Sequence, residues 1–119
     1  MKLYIAVLDS FPDYMTPTLV AHSVLGAHLH YSRAYIAAKS PVPELENYCE
    51  WLKSSFKKVV IRVNKKEFDK IANLPQPTPV FLGKENNTLG GINSCAIPLP
   101  TLEVPNVLKF AKMWKPLHV

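Results

Sequence analysis

The stretch Leu3–Leu8, LYIAVL, decides the fold class. It is a continuous apolar run with no polar alternation, the pattern of a strand buried on both faces rather than one that shows a face to water. It breaks at DSFPDYM, where Pro12 and two aspartates mark a loop. Thr16 then offers an N-cap and Pro17 a first helical residue, so a helix is expected from there to about Tyr31, with Val20, Val24, Ala27 and Tyr31 on one face. Pro43 opens a second helix whose acids, Glu44 and Glu46, lie early and whose Lys53 lies late, in keeping with the helix dipole.

Downstream, KKVVIRV at Lys57–Val63 is β-branched and reads as a second strand. Asn64 with Glu67 three residues on forms a capping-box pattern ahead of KKEFDKIA, a short third helix. TPVFLG at Thr78–Gly83 is a third strand, and the turn-rich KENNTLGG leads to a fourth that begins in INSCAIPLP. Val104 and Pro105 open a last helix, with Val107, Ala111 and Trp114 on one face. The order β-α-α-β-α-β-β-α predicts one α/β domain spanning residues 1–119: a three-layer α/β/α arrangement around a four-stranded, mixed and mainly parallel sheet. The short link between the last two strands makes that pair antiparallel.

The chain has 119 residues, with 48% hydrophobic and 19% charged side chains, which is the usage of a folded domain. Fourteen Lys and Arg against 9 acids give a net charge of +5. Lys53, Lys57, Lys58, Arg62, Lys65, Lys66 and Lys70 fall in one short stretch, which suggests a polyanionic partner such as nucleic acid as readily as it suggests a solvated face. Cys49 and Cys95 lack CxxC spacing and read as small buried hydrophobes. The N-terminal apolar run meets Asp9 too early for a signal peptide and nothing approaches a membrane span, so a cytoplasmic protein without membrane contact is expected.

Generic catalytic and phosphate-binding motifs are absent from the sequence. His22, His28 and His30 stand at i, i+6 and i+8, not the i, i+4 spacing of a helical metal pair, so neither metal nor cofactor is expected. Ser23 follows His22 directly and points about 100° away on a helix, which defeats a Ser–His dyad. Two segments draw interest by position: the loop after the first strand, where open α/β sheets place ligands, and KENNTLGG.

Four segments in register, VAHSVLGAH at 20–28, WL at 51–52, KKVVIRV at 57–63 and NNTLGGINSCAIPLP at 86–100, resemble the archaeal and eukaryotic class of peptidyl-tRNA hydrolases over nearly the whole chain. The resemblance implies hydrolysis of the ester between peptide and tRNA. It implies tRNA or peptidyl-tRNA as partner, and a second copy of the chain is a further candidate partner. His22 matches the family's helix histidine, Gly26 its glycine and Asp9, one residue out of step, the aspartate closing the first strand. Thr88 and Gly91 match the later threonine and glycine. The departures are as marked. The family's lysine falls on Met15, its glutamine on Leu19 and its key aspartate near Lys84 or Glu85, while two threonines become Ile92 and Ser94.

A catalytic reading therefore rests on His22 as base, Asp9 to orient it, and Thr88 or Ser94 as hydrogen-bond donors. Lys57, Lys58, Arg62, Lys65, Lys66 and Lys84 would meet the tRNA phosphates. The alternative of another class is an RNA-binding module that keeps the fold without catalysis, and the altered family positions point that way.

Overall fold

A computed structural model describes residues 1–75, 79–85 and 92–117. The expected first strand forms as β1 (Lys2–Leu8), and it is central, paired with β2 (Lys57–Val63) on one side and β4 (Ile92–Pro98) on the other. Its lack of alternation has a direct cause. Leu3, Ile5 and Val7 enter one buried cluster with helices α1 (Thr16–Ala37) and α2 (Pro43–Lys53). Ala6 and Leu8 enter a second, with α3 (Lys65–Ala72) and the short α4 (Asn106–Lys109). A strand whose odd and even positions both meet core has no place for a polar residue.

The sheet differs from the expectation in strand number and in sense. It has five strands in the order β3-β4-β1-β2-β5, where β3 is Val80–Glu85 and β5 is Lys112–Met113. Among the described residues only β1–β2 is parallel; β1–β4, β3–β4 and β2–β5 are antiparallel. The mainly parallel, four-stranded sheet is thus corrected to a mixed one dominated by antiparallel pairs. The antiparallel sense comes from β4, which lies between β1 and β3 and runs against both, and the fifth strand comes from the C-terminal segment. The expected helix through Trp114 stops at Lys109, and the chain then pairs with the open edge of β2, where Trp114 N–H donates to the Val60 carbonyl at 2.9 Å. Unpaired β2 backbone groups are a stronger claim on this segment than its helical periodicity.

Two helix boundaries also move. A 3-10 turn at Asp13–Met15 runs straight into α1, so Thr16 is helical and buried instead of serving as N-cap, while Pro17 keeps its place in the first turn. The helix continues past Tyr31 to Ala37, since nothing in SRAYIA interrupts it. α1 crosses the sheet closely at two glycines. A Cβ on Gly26 would lie 2.7 Å from the Phe81 ring, and one on Gly83 would lie 2.0 Å from Ser23 Oγ.

α3 starts as expected. Asn64 Oδ1 accepts from Glu67 N–H at 2.8 Å and Asn64 N–H donates to Glu67 Oε1 at 3.0 Å, closing the capping box. The Asn64→Ala variant is expected to lose about 0.5–2 kcal/mol, read as a lowered midpoint in a urea melt. An unchanged midpoint would mean that packing of Phe68 and Ile71 alone holds the helix.

Candidate nucleic-acid interface

Of the four residues of the catalytic reading, the three that are described, Asp9, His22 and Ser94, do not come together. His22 is exposed on the outward side of α1, opposite the stripe of Leu19, Ser23, Ala27 and Tyr31 that meets the sheet. Among the described residues, nothing hydrogen-bonds its imidazole, so no group fixes the tautomer a general base requires. Ser94 is 1% exposed beneath α1, its hydroxyl donating to the Gly83 carbonyl at 3.4 Å. Asp9 stands exposed at the end of β1, its N–H bonded to the Val63 carbonyl at 2.8 Å. Thr88 lies outside the described residues, as does Gly91.

Met15 and Leu19 have structural occupations. Leu19 is buried, and Met15 packs against the same cluster. Cys95 is fully buried with its thiol directed at the Leu19 carbonyl at 3.8 Å, and burial pushes its pKa up, so it is no nucleophile. Tyr31 donates to the Ile97 carbonyl at 2.7 Å and burial raises its pKa. Tyr48, whose ring is tilted against it at 5.2 Å, has its pKa pushed up to about 12 by burial. His28, adjoining, pairs through Nδ1 with the Tyr48 hydroxyl at 2.9 Å. These rings form a packed seam between α1 and α2. Among the described residues no group of His, Cys, Asp or Glu could hold a metal, and no helix is long and apolar enough to cross a membrane.

The cations are arranged differently from one compact patch. Lys57 and Lys58 begin β2, while Lys65 and Lys66 begin α3 beyond its other end. At about 3.3 Å per residue the two pairs stand roughly 20 Å apart. Lys84 is on β3, the opposite edge of the sheet, about 14 Å from β2 at about 4.8 Å per strand spacing. Two of the expected contacts are engaged within the protein. Arg62 donates to Asp13 at 3.1 Å and to the Lys115 carbonyl at 2.6 Å, and Lys65 pairs with Asp69 at 2.7 Å. The Lys65 pair is exposed, so it is weak and readily exchanged.

What sequence reading missed is the contribution of β5. Arg62 and Lys112 are partners in the β2–β5 register and their side chains share a face. Cations and rings then alternate along this edge. Lys58 Nζ lies 3.3 Å from the Phe56 ring centre, the Arg62 guanidinium 5.2 Å from Trp114, and Lys109 Nζ 5.5 Å from Phe110. Phe110 is 73% exposed and Phe56 54%. Phe56 also holds φ 53°, a left-handed backbone that favours glycine, because its N–H caps α2 through the Trp51 carbonyl at 2.8 Å. An aromatic side chain thus stands at a position where glycine would be relaxed, with its ring turned to water. The signal is present as FAKMWK at 110–115, but a helical reading of that segment places Trp114 on one helix face with Val107 and Ala111 and separates it from β2.

The fold and this edge define the class: a mixed α/β domain with a cation-and-aromatic ribbon along an open sheet edge. Comparison with protein-family models and with curated proteins gives no match.

Proposed function

We propose that this chain is a cytoplasmic RNA-binding module, with structured RNA of the tRNA type as its partner, built on a hydrolase-like fold and without ester-cleaving activity. The observation that supports it most is the alternation of cations and aromatic rings along the β2–β5 edge. Phosphates reward exposed lysines irrespective of sequence, and every base has a face that stacks on an aromatic ring. Two lysine groups roughly 20 Å apart reach different phosphates of one bound helix, since a duplex carries one charge per about 1.7 Å of axis. Lys57, Lys58, Lys66, Lys109 and Lys112 are exposed and make no ion pair among the described residues, so their charges are available to a polyanion.

Hydrolysis would require a base, a group that orients it and an oxyanion donor around one ester. His22 outward on α1 and Ser94 buried under it offer no common approach to a substrate. The purified chain is therefore expected to bind deacylated tRNA in a salt-dependent way and to leave peptidyl-tRNA intact. Turnover above background in the wild type, lowered by about 10²–10⁴ in His22→Ala with tRNA affinity held, would restore the hydrolase reading and return His22 to the role of base.

A further inference from the structure

Where the parallel strands β1 and β2 end, a cleft of about 290 Å³ opens, lined by Asp9, Arg62, Asn64, Glu67, Phe110 and Lys112. The ends of adjacent parallel strands are where α/β sheets hold ligands. The volume is close to the lower limit of small-ligand pockets, about 300 Å³. The cleft is continuous with the basic edge through Arg62, Lys112 and Phe110.

Its charges are mixed, and that narrows the ligand. Arg62 and Lys112 are cationic; Asp9 and Glu67 are acidic. Glu67 is occupied by the Asn64 N–H at 3.0 Å, whereas the Asp9 carboxylate has no hydrogen-bond partner among the described residues. A carboxylate inside a basic surface repels phosphate, so it weakens the binding of an anion that only slides past. It is favourable when the ligand presents a hydroxyl beside its phosphate, since an ionised carboxylate accepts hydrogen bonds only. A nucleotide has these parts: a phosphate for Lys112 and for the Arg62 donors that have no partner among the described residues, a base for the exposed Phe110 ring, and ribose hydroxyls for Asp9. Of these, the 2′-hydroxyl is the group that separates RNA from DNA.

Resting on the RNA-binding reading, we propose that this cleft receives one unpaired nucleotide of the bound RNA and that Asp9, by accepting from its ribose 2′-hydroxyl, selects RNA over DNA. Asp9 is then a specificity residue and not the orienter of a catalytic histidine. The backbone bond to Val63 fixes the start of its loop against β2, which holds the carboxylate at the cleft.

The test uses single-stranded RNA and DNA 12-mers of one mixed sequence, with affinities read by fluorescence anisotropy at fixed salt. The wild type is expected to favour RNA about tenfold, the effect of one charge-assisted hydrogen bond. In Asp9→Ala the RNA affinity falls while the DNA affinity holds or rises, because a negative charge has left the surface, and the ratio approaches one. Asp9→Asn, which keeps an acceptor oxygen, retains part of the preference. Affinities for both probes rising together in Asp9→Ala would reduce Asp9 to an electrostatic brake and overturn the proposal. Equal wild-type affinities for RNA and DNA would overturn it too, while leaving the parent reading in place as long as reversal of Lys57, Lys58 and Lys112 still weakens binding. Absence of binding to either probe and to tRNA would end both.

Discussion

The Ile5→Ala variant is expected to lose about 2–5 kcal/mol of stability, a large share of the roughly 5–15 kcal/mol a domain of this kind has. Ile5 is 1% exposed, sits at the middle of the central strand opposite Val60, and belongs to the cluster that joins α1 and α2 to the sheet. Removing three carbons there deletes buried apolar contact and leaves a cavity that the strand cannot close, because β1 is hydrogen-bonded on both sides. Ile36→Ala is the matched control. That side chain is 81% exposed on the outward side of α1, so the same chemical deletion should shift stability by no more than about 0.5 kcal/mol. Chemical denaturation of both variants decides the matter. A loss below about 1 kcal/mol for Ile5→Ala would mean that β1 behaves as an edge strand and that the sheet order is different from the one described.

The largest functional effect is expected from Lys57→Glu, Lys58→Glu and Lys112→Glu combined. If these lysines each neutralise one phosphate, the slope of log affinity against log salt should flatten by about 2–3, and affinity for tRNA at low salt should fall roughly 10–100-fold. All three side chains are exposed, so the fold should survive, which a thermal melt of the triple variant checks. Lys84→Glu provides the contrast, because Lys84 lies on the opposite edge of the sheet and should change the slope little. Equal binding by wild type and triple variant across a range of salt would rule out the β2–β5 edge as the interface. An effect of Lys84→Glu as large as that of the triple variant would move the interface to β3.

Local rules placed those elements whose signals do not depend on a partner. The apolar run of β1, the β-branched run of β2, Pro43 at the start of α2 and the Asn64–Glu67 capping box are each complete within a few residues, and each forms where the sequence puts it. The centrality of β1 was legible for the same reason, since a strand without polar positions has nowhere to sit but between two covered faces. Lys57, Lys58 and Lys66 were legible as exposed cations because charged side chains are almost never fully buried unpaired.

Tertiary structure decided what depends on competition between distant segments. FAKMWK has helical periodicity, yet the bare edge of β2 captures it as β5, and that pairing adds a fifth strand to the sheet and carries Lys112 to Arg62. Arg62 reads like its neighbouring cations, but only the folded chain brings Asp13 to 3.1 Å from it. His22 and Ser94 look alike as polar residues in suggestive motifs; helix phase sends one to water, and the crossing of α1 over Gly83 buries the other. Asp9 keeps its place at the strand end, and its neighbours there come from β2, α3 and the segment before β5. Secondary structure is set by interactions over a few residues, whereas a binding surface is the sum of side chains from several segments. The composition of the cation-bearing edge followed from which strand satisfied the open edge of β2.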